Sequence, residues 1–398
     1  MQNVEILVSG GGVAGLTTAA AFGAKGFGVL CVDPTPPITE RDAEGSDLRT
    51  TAFLQPSQAL LDDIGLWESF APHAAPLQIM RIVDAGGVVA EPRLVKEFCA
   101  DEISDKPFGW NLPNWLLRRE LLAFLDSLPN VEFRQGVGSK SLFTRTNEAR
   151  VGLTDGSMVS CKLVIAADGR ASRIREAAGI DVSTKRYGQK ALAFAVTHPE
   201  PHENVSTEIH RSGGPFTLVP LPAYMGKNSS AIVWMETGAE VDRLAKLPES
   251  EFEAAMNERS CKILGPLKLA SRRSVWPIIS QVAQRMTSER VALIAEAAHV
   301  VPPIGAQGLN MSLGDLRVLL ELACDNREDP GQQNLLDRFH KARHAEVQTR
   351  VTGIDLLNRA SMAEKQVLRD VRASGLNALY SLAPVRKTLM QMGLGVRG

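Results

Sequence analysis

A glycine-rich turn and an acidic residue stand at the ends of apolar segments, where a ligand rich in phosphate and hydroxyl groups could bind. Gly10, Gly12 and Gly15 separate a strand-like segment from a helix-like one, and Asp33 closes the next strand-like segment. Glycines at this spacing permit a tight turn and let backbone amides approach a pyrophosphate at the positive end of the helix. An acid at the end of the second strand can accept hydrogen bonds from a ribose. The pattern predicts a dinucleotide site and leaves NAD and FAD both open; its residues are Gly10, Gly12, Val13, Ala14, Gly15 and Asp33.

Two further carboxylates follow apolar segments. Asp168 comes directly after the segment 163–167, and Glu296 comes after the segment 291–295. Both are predicted to lie at the ends of strands, next to turns, where the hydroxyls of a bound polyol can donate to them. The alternative for Glu296 is a structural acid that caps the following turn.

The elements that would position these residues alternate along the chain. Residues 3–33 have the pattern of strand, turn, helix and strand, which is a βαβ unit of the expected length. Apolar positions at helical spacing predict helices over 57–70 and 115–128. Between 190 and 236, β-like segments alternate with turns, which predicts an inserted antiparallel sheet. From residue 311 onward the chain is predicted to be mostly helical.

The composition of the 398-residue chain is that of an ordinary globular protein. Its formal net charge of −1 gives no support for a nucleic-acid partner. The five cysteines are scattered without a CxxC pair, so no zinc or iron–sulfur site is recognisable and no metal is predicted. No apolar run reaches the roughly eighteen residues of a spanning helix. These features predict a cytoplasmic protein, at most peripheral to the inner face of a membrane.

Beyond these patterns, the chain resembles the class A flavoprotein aromatic monooxygenases, in which three motifs hold one FAD. The first is the glycine turn, and the second matches as Asp168-Gly169, with Ser172 and Arg175 also in place. The third usually reads GDAAHxxPPxxGxGxN, and residues 295–310 here read AEAAHVVPPIGAQGLN. The downstream part of this motif matches well, whereas Ala295 and Glu296 depart from the usual glycine and aspartate.

One branch of this family is similar over nearly the whole chain, namely the hydroxylases of ubiquinone biosynthesis, which act on polyprenylated phenols. Segments spread over several hundred residues are more specific than any single motif. The segments that carry this similarity are 47–52, 64–67, 212–221, 229–234, Arg343 and 353–359.

The resemblance implies an α/β protein with the para-hydroxybenzoate hydroxylase fold. This fold has a discontinuous Rossmann-like FAD-binding domain, an inserted antiparallel-sheet substrate domain and C-terminal helices. The predicted boundaries are 1–71, 112–184 and 275–345 for the FAD-binding domain, 72–111 and 185–274 for the substrate domain, and 346–398 for the C-terminal helical region.

The resemblance also implies which residues contact FAD. Asp168 is predicted near the pyrophosphate and ribityl region, and Glu296 on the ribityl hydroxyls. Arg49 and Arg118 are predicted to touch the phosphates or the flavin edge; the alternative for both is a surface cation. The side chain of His299 is expected to be structural.

The loop 302–310 is predicted to seat the isoalloxazine ring. Its glycines would let backbone amides approach the pyrimidine edge, and the positive end of the following helix would stabilise negative charge on reduced flavin. Pro303 is predicted to lie near the substrate, and no residue is assigned a catalytic role. The cofactor-binding residues of this loop are Gly305, Gln307, Gly308, Leu309 and Asn310.

The implied reaction is hydroxylation of an aromatic ring. NAD(P)H, docking transiently because no second glycine motif exists, reduces FAD; O2 adds at the flavin C4a, and the hydroperoxide transfers OH to a phenol. The apolar segment 190–236, in which Arg211 is the only obvious partner for a carboxylate, favours a polyprenylated phenol. The alternatives are a class A hydroxylase of a small soluble phenol or benzoate, and a flavin-poor scaffold subunit of a quinone-synthesis complex. The Ala295-Glu296 pair is the only support for the scaffold.

The tail from residue 360 onward carries six Lys or Arg against two Asp or Glu, mixed with apolar residues. This composition predicts either a helix lying on a membrane surface or helices that pack on the protein's own core. Peripheral association with a membrane or with a quinone-synthesis complex is therefore left open.

Overall fold

The strands come from distant parts of the chain, so each sheet is assembled from several segments. The computed structural model describes residues 1–363 and 365–394. In chain order the strands are β1 Gln2–Ser9, β2 Val29–Asp33, β3 Thr50–Leu54, β4 Ala75–Leu77, β5 Ile79–Asp84, β6 Leu94–Cys99, β7 Gly109–Pro113, β8 Val131–Gln135, β9 Ser139–Arg145, β10 Glu148–Leu153, β11 Met158–Ala166, β12 Val182–His198, β13 Val205–His210, β14 Pro215–Tyr224, β15 Lys227–Thr237, β16 Lys268–Leu269, β17 Ser274–Ala283, β18 Thr287–Ser288, β19 Val291–Leu293 and β20 His299–Val300.

Helices connect many of these strands and form most of the last quarter of the chain. The helix predicted over 57–70 is two helices, because the chain turns at Gly65 with a φ of +77°. In chain order the helices are α1 Val13–Ala24, α2 Gln55–Asp63, α3 Trp67–Phe70, α4 Asn114–Asp126, α5 Arg173–Ala177, α6 Gly238–Lys246, α7 Glu249–Arg259, α8 Ala295–Ala298, α9 Gln307–Asp325, α10 Gln333–Ser361, α11 Gln366–Ser381 and α12 Ala383–Leu394.

The first sheet is built around β1. On one side β1 pairs with β2, which pairs with β8, and on the other side β1 pairs with β11, which pairs with β19; all four pairings are parallel. The strands β10, β9 and β18 add antiparallel pairings at its margins. The carboxyl-terminal halves of its central strands are buried, namely residues 6–9 of β1 and 163–166 of β11, as expected for a parallel sheet covered on both faces. Because the strands are parallel, the carboxyl ends of β1, β2, β11 and β19 lie at one edge.

The second sheet is mostly antiparallel and has the order β20-β17-β12-β15-β14-β13-β5-β6. One face carries large side chains such as Phe194 and Trp234, which pack against Phe252 of α7. Alternate residues of β12 on the other face are small, namely Ala191, Ala193 and Ala195. The third sheet, β3-β7-β4, lies against this second sheet at β14.

The C-terminal helices divide into two pairs. α9 and α10 pack on the core of the first sheet, and they share a buried carboxylate. Asp315 of α9 accepts from Arg343 of α10 at 2.8 Å and contacts His299 Nε2 at 2.6 Å. α11 and α12 follow on the outside, with Met390 and Leu394 of α12 packed in a cluster with Leu54 of β3.

The predicted α/β fold, with an inserted antiparallel sheet and C-terminal helices, is confirmed. The domain boundaries stay predictions. Two of them fall within strands: the boundary between 184 and 185 lies in β12, which begins at Val182, and the boundary between 274 and 275 lies in β17, which begins at Ser274. Residue 364 and residues 395–398 of the predicted C-terminal region lie outside the described residues.

The third glycine of the turn, Gly15 in α1, packs directly against the backbone of the first, Gly10. A Cβ at Gly15 would lie 1.9 Å from Gly10 O, whereas a Cβ at Gly12 would meet nothing within 4 Å. We therefore expect Gly15→Ala to destabilise the protein by about 3 kcal/mol or more. The control Gly12→Ala should cost less than about 1 kcal/mol, mainly as a poorer helix cap. Urea unfolding measures both; equal losses would contradict this account of Gly15.

Candidate functional site

The glycine turn is closed against the strands on either side of β1. Gly10 has a φ of +115°, and a Cβ there would lie 2.3 Å from Ala167 O at the end of β11. Gly11 N donates to Asp33 Oδ2 at 2.5 Å, and Thr35 N donates to Asp33 Oδ1 at 2.7 Å. The side chain of Asp33 therefore fixes the end of β2 to the glycine turn. The space next to Gly12 is open. Val13 and Ala14 lie partly exposed in the first turn of α1.

Asp168 has one carboxylate oxygen bound and one free. Oδ2 accepts from the backbone N–H groups of Arg173 and Ile174 at 3.0 and 3.2 Å. Oδ1 is buried and has no hydrogen-bond partner in the described part of the chain. Burial raises the pKa of Asp168, although the hydrogen bonds that it accepts act in the opposite direction. A buried acceptor without a partner at this edge of the sheet fits a ligand hydroxyl.

The sequence predicted that Glu296 lies at the end of a strand, and this prediction is wrong. β19 ends at Leu293, and Glu296 lies in the single helical turn α8, where its side chain is exposed. This turn is fixed to the loop after Asp168, because Arg175 Nη1 donates to Ala297 O at 3.0 Å and Arg175 Nη2 donates to Arg170 O. Two of the three motif loops are therefore joined by one buried guanidinium.

Two alanines adopt a backbone conformation that favours glycine. Ala295 has a φ of +54° and Ala306 a φ of +56°. Ala295 stands at the usual motif glycine. Ala306 also stands at one, because aligning GDAAHxxPPxxGxGxN with residues 295–310 places a motif glycine at 306, where Gly305 is one residue early. The sequence interpretation missed this second departure. Both alanines therefore stand at motif glycines and lie in the left-handed region of the backbone.

In the loop 302–310 the backbone and the side chains face different partners. Pro303, Gly305 and Gly308 are exposed, and a Cβ at Gly308 would meet nothing within 4 Å. Leu309 packs partly against the main core. The backbone groups of this loop are therefore accessible to a ligand.

The side chains of Gln307 and Asn310, by contrast, bond to the protein. Gln307 Nε2 donates to Gly305 O at 2.9 Å and to Gly393 O at 3.0 Å. Asn310 Nδ2 donates to Ala52 O at 2.7 Å, and Asn310 Oδ1 accepts from Leu54 N at 2.9 Å. The side chain of Gln307 therefore ties the loop to α12, and that of Asn310 ties it to β3.

Arg49 and Arg118 meet at Asp47, a buried residue that the sequence interpretation had not selected. Arg49 binds Asp47 through Nε at 2.8 Å and Nη2 at 2.7 Å, and Arg118 Nη2 lies 3.6 Å from Asp47 Oδ2. Burial would raise the pKa of Asp47, but the hydrogen bond and charge of Arg49, with Asn114 and Arg118, hold it below its usual range. Neither arginine is an isolated surface cation. The position of Asp47 two residues before Arg49 was the available signal.

Arg49 also contacts the second sheet, which connects that sheet with the candidate site. Its guanidinium carbon lies 3.9 Å from the centre of the Trp276 ring on β17. Burial would lower the pKa of Arg49, but its hydrogen bond to Asp47 and the charges of Asp47 and Glu296 raise it. Nothing in the sequence around Trp276 indicated its contact with Arg49.

The structure thus gathers most of the predicted residues around one edge. The glycine turn, Asp33, Asp168 and Glu296 surround the carboxyl ends of the parallel strands. Arg49 is bonded to Asp47, and the loop 302–310 is bonded to β3. Within the described ranges, 1–363 and 365–394, no cluster of three or more His, Cys, Asp or Glu could hold a metal ion.

The two alanines with positive φ should be strained. We expect Ala295→Gly and Ala306→Gly each to raise the free energy of unfolding by about 1 kcal/mol, because glycine adopts this conformation without penalty. Ala297→Gly, in the same turn as Ala295 but without a positive φ, should instead lower it by about 0.5–1 kcal/mol. Urea unfolding of the three variants provides the measurement. A loss of stability in Ala295→Gly would show that its Cβ contacts outweigh the strain.

The raised pKa of Asp168 should make its contribution to stability depend on pH. The folded protein holds the Asp168 proton more tightly than the unfolded chain does, so the contribution is most favourable at low pH and is lost as the pH rises through the folded-state pKa. Asp168→Asn should therefore raise the thermal midpoint near pH 7, and the gain should shrink as the pH falls toward about 4.

A matched control for Asp168→Asn is Asp155→Asn. The hydrogen bonds from Ser157 lower the pKa of Asp155, so its contribution to stability is present above the unfolded-state pKa and is lost as the pH falls. Its removal should lower the midpoint near pH 7. If both substitutions changed the midpoint in the same direction, burial would not be the cause at Asp168.

Comparison with known proteins agrees with this geometry. The family model described as "FAD binding domain" matches residues 3–353. The chain is 32% identical over 394 residues to ubiquinone hydroxylase UbiL of Rhodospirillum rubrum, covering 98% of this chain and 89% of that protein. It is 24% identical to the 3-demethoxyubiquinol 3-hydroxylase of Escherichia coli, covering 99% of both.

Among solved structures, the p-nitrophenol 4-monooxygenase PnpA of Pseudomonas putida superposes with a TM-score of 0.80 over the whole of both chains. Its sequence identity is only 18%, so this likeness concerns the fold. The family model, which spans the glycine turn, Asp168 and the loop 302–310, confirms the resemblance inferred from the sequence and FAD as the cofactor. The chain belongs to the FAD-binding-domain family.

Proposed function

We propose that this protein is an FAD-dependent hydroxylase that uses NAD(P)H and O2 to hydroxylate the aromatic ring of a polyprenylated phenol in ubiquinone biosynthesis. The observation that carries the proposal is the 32% identity to a ubiquinone hydroxylase over 98% of the chain. The aligned region of 394 residues includes every loop of the site. Bound FAD would supply the transfer of electrons to O2 and of oxygen to the ring.

FAD would lie along the carboxyl edge of the first sheet. The pyrophosphate would sit over Gly10, Gly12 and Gly15, where the N-terminus of α1 offers unpaired N–H groups. Asp168 Oδ1, buried and without a partner, would accept from a ribityl or ribose hydroxyl. The exposed carboxylate of Glu296 would do the same from the other side. These assignments rest on the positions of the side chains around one edge.

The loop 302–310 would carry the ring. Gly305 and Gly308 leave its backbone exposed, and α9, a helix of 19 residues, begins at Gln307. The positive end of that helix would stabilise negative charge on the ring. Gln307 and Asn310 would act by holding the loop, since their side chains bond to Gly393 and to β3. Pro303, exposed on the same loop, would face the substrate.

The side chains next to the site favour an apolar substrate. Arg49 stacks on Trp276, which pairs with Ala191 across β17 and β12, and the same face continues through Ala193 and Ala195. Arg211, the candidate partner for a benzoate carboxylate, is paired with Glu258 at 3.0 Å. This face offers small apolar side chains to a substrate, and Arg211 gives no support for a free carboxylate site.

The proposal includes work at a membrane surface, because a polyprenylated phenol partitions into lipid. None of the helices described in 1–363 and 365–394 is long and apolar enough to cross a bilayer. Contact with a membrane would therefore be peripheral. Association with a quinone-synthesis complex is a compatible arrangement.

Deletion of the gene in its host tests the reaction. We expect ubiquinone to fall and a prenylated precursor that lacks one hydroxyl to accumulate, as measured by mass spectrometry of lipid extracts. The wild-type gene should restore ubiquinone, whereas Asp168→Asn should restore less, because FAD would bind more weakly. Unchanged ubiquinone without a precursor would rule out the proposed pathway.

The purified protein separates the alternatives. A yellow protein with about one FAD per chain excludes the flavin-poor scaffold, and a colourless one would support it. NAD(P)H oxidation stimulated by prenylated phenols, and not by benzoates, supports the proposed substrate class. The reverse preference would indicate a hydroxylase of a small soluble aromatic.

A further inference from the structure

The central strand of the third sheet, β7, carries a buried amide with one end unpaired. Asn111 is 1% exposed, and its Nδ2 donates to Pro220 O of β14 at 3.0 Å. Because this partner is a carbonyl, the amide nitrogen must face Pro220, and the amide oxygen is the end left free. Oδ1 is buried and has no hydrogen-bond partner within residues 1–363 and 365–394. An unpaired buried acceptor points to a ligand that supplies the missing donor.

The side chains that share the face of the sheet with Asn111 are small. Asn111 lies directly opposite Ala52 of β3 and Ala75 of β4, and opposed residues project from the same face. Both alanines are buried. The large side chains of Phe53 and Leu112 project from the other face, into the core of the first sheet. The face with Asn111 therefore holds one polar atom among methyl groups.

The order of the strands places this amide near the loop proposed to carry the flavin ring. Asn310 of that loop bonds to one edge of β3, through Ala52 O and Leu54 N, and β7 pairs along the other edge. Since neighbouring strands are about 5 Å apart, Asn111 lies about two strand spacings, roughly 10 Å, from Asn310. A phenol placed beside a flavin ring on this loop would reach Asn111.

The other neighbour of the amide belongs to the second sheet. Pro220, whose carbonyl accepts from Asn111, precedes Leu221, and Leu221 packs with Ala195 and Ala231. Ala195 is one of the small residues on the open face of β12. The amide therefore joins the strand next to the cofactor loop with a strand that carries part of the small apolar face.

We propose that Asn111 Oδ1 accepts a hydrogen bond from the ring hydroxyl of the substrate, which is a phenol with a free O–H group. The inference rests on the proposed function, because it requires an aromatic substrate beside the cofactor loop. A water molecule matches the position less well, since buried water is held by roughly two to four polar partners and the neighbours on this face are alanines. A phenol brings one donor on an apolar ring, which matches one acceptor among methyl groups.

The amide would bind the hydroxyl without removing its proton. Asn111 Nδ2 is bonded to a backbone carbonyl, and no titratable side chain among the described residues is hydrogen-bonded to this amide. A neutral amide is not a base at ordinary pH, so this contact orients the ring and leaves the proton on the substrate. Recognition then selects for a hydroxyl that can donate, and an ether at the same ring position lacks that donor.

Binding of a matched pair of ligands to the FAD-loaded full chain tests the inference without turnover. The pair is 2-prenylphenol and its O-methyl ether, titrated into the oxidised protein and followed by the change in flavin absorbance. We expect the wild type to bind the phenol at least about tenfold more tightly than the ether, because the ether leaves a buried acceptor unpaired.

Two substitutions of similar size separate the acceptor from a purely structural role. Asn111→Leu removes Oδ1 and should weaken binding of the phenol about tenfold, with little change for the ether. Asn111→Asp retains an acceptor oxygen and should keep the preference for the phenol. A structural role alone would weaken both ligands equally in Asn111→Leu. The thermal midpoint and the FAD content show whether each variant folds and holds its cofactor.

Several results would overturn the inference. They are equal affinity of the wild type for phenol and ether, an undiminished preference in Asn111→Leu, and a loss of FAD in Asn111→Leu that Asn111→Asp does not share. The last would mean that the amide serves the cofactor. If Asn111→Leu does not fold, the wild type and Asn111→Asp still decide. Equal binding of both ligands removes the role of Asn111 and keeps the proposed function, whereas a protein that binds neither ligand contradicts both.

Discussion

Parallel pairing of four strands is the constraint on which the rest of the structure depends. β2, β1, β11 and β19 run side by side in one direction, so residues that follow them meet at one edge although they are far apart in the chain. The close approach of Gly10 to Ala167 and the bond from Arg175 to Ala297 then lock the loops together. The pairing of the strands therefore already brings the loops close together. Asp33 at the end of β2, Asp168 after β11 and Glu296 in the turn after β19 then surround that edge with carboxylates.

Sequence patterns predicted the part of the site whose residues lie close together in the chain. The glycine turn and Asp33 belong to one βαβ unit of about thirty residues, and Asp168 directly follows a buried strand, so their spacing predicts their place. Trp276 could not be found in this way, because only the packing of the second sheet on the first brings it to Arg49. The end of β19 before Glu296 was missed because Ile294 and Ala295 are as apolar as the strand itself.

The alanines at 295 and 306 adopt a backbone conformation that favours glycine, at two positions where the motif has glycine. The penalty for an alanine in this conformation is on the order of 1 kcal/mol, which a few hydrogen bonds can offset. At Ala306 such bonds are visible. Gln307 holds the carbonyl of Gly305, and Asn310 Nδ2 bonds to Ala306 O at 2.6 Å. The loop is therefore held in shape by side chains, and its glycine spacing is a poorer guide to it than those bonds.

That support has a consequence for the C-terminal helices. The amide of Gln307 divides its hydrogen bonds between Gly305, Gly393 and Arg350, and Arg350 continues through Glu346 to Arg343 and the buried Asp315. α12 is thus part of the scaffold of the loop, although its outer side is apolar and exposed. A displacement of α12 must act on Gly393 and hence on Gln307. The cofactor loop is therefore connected to α12 in two ways, through the side chain of Gln307 and through Leu54, which packs with Leu394 and bonds to Asn310.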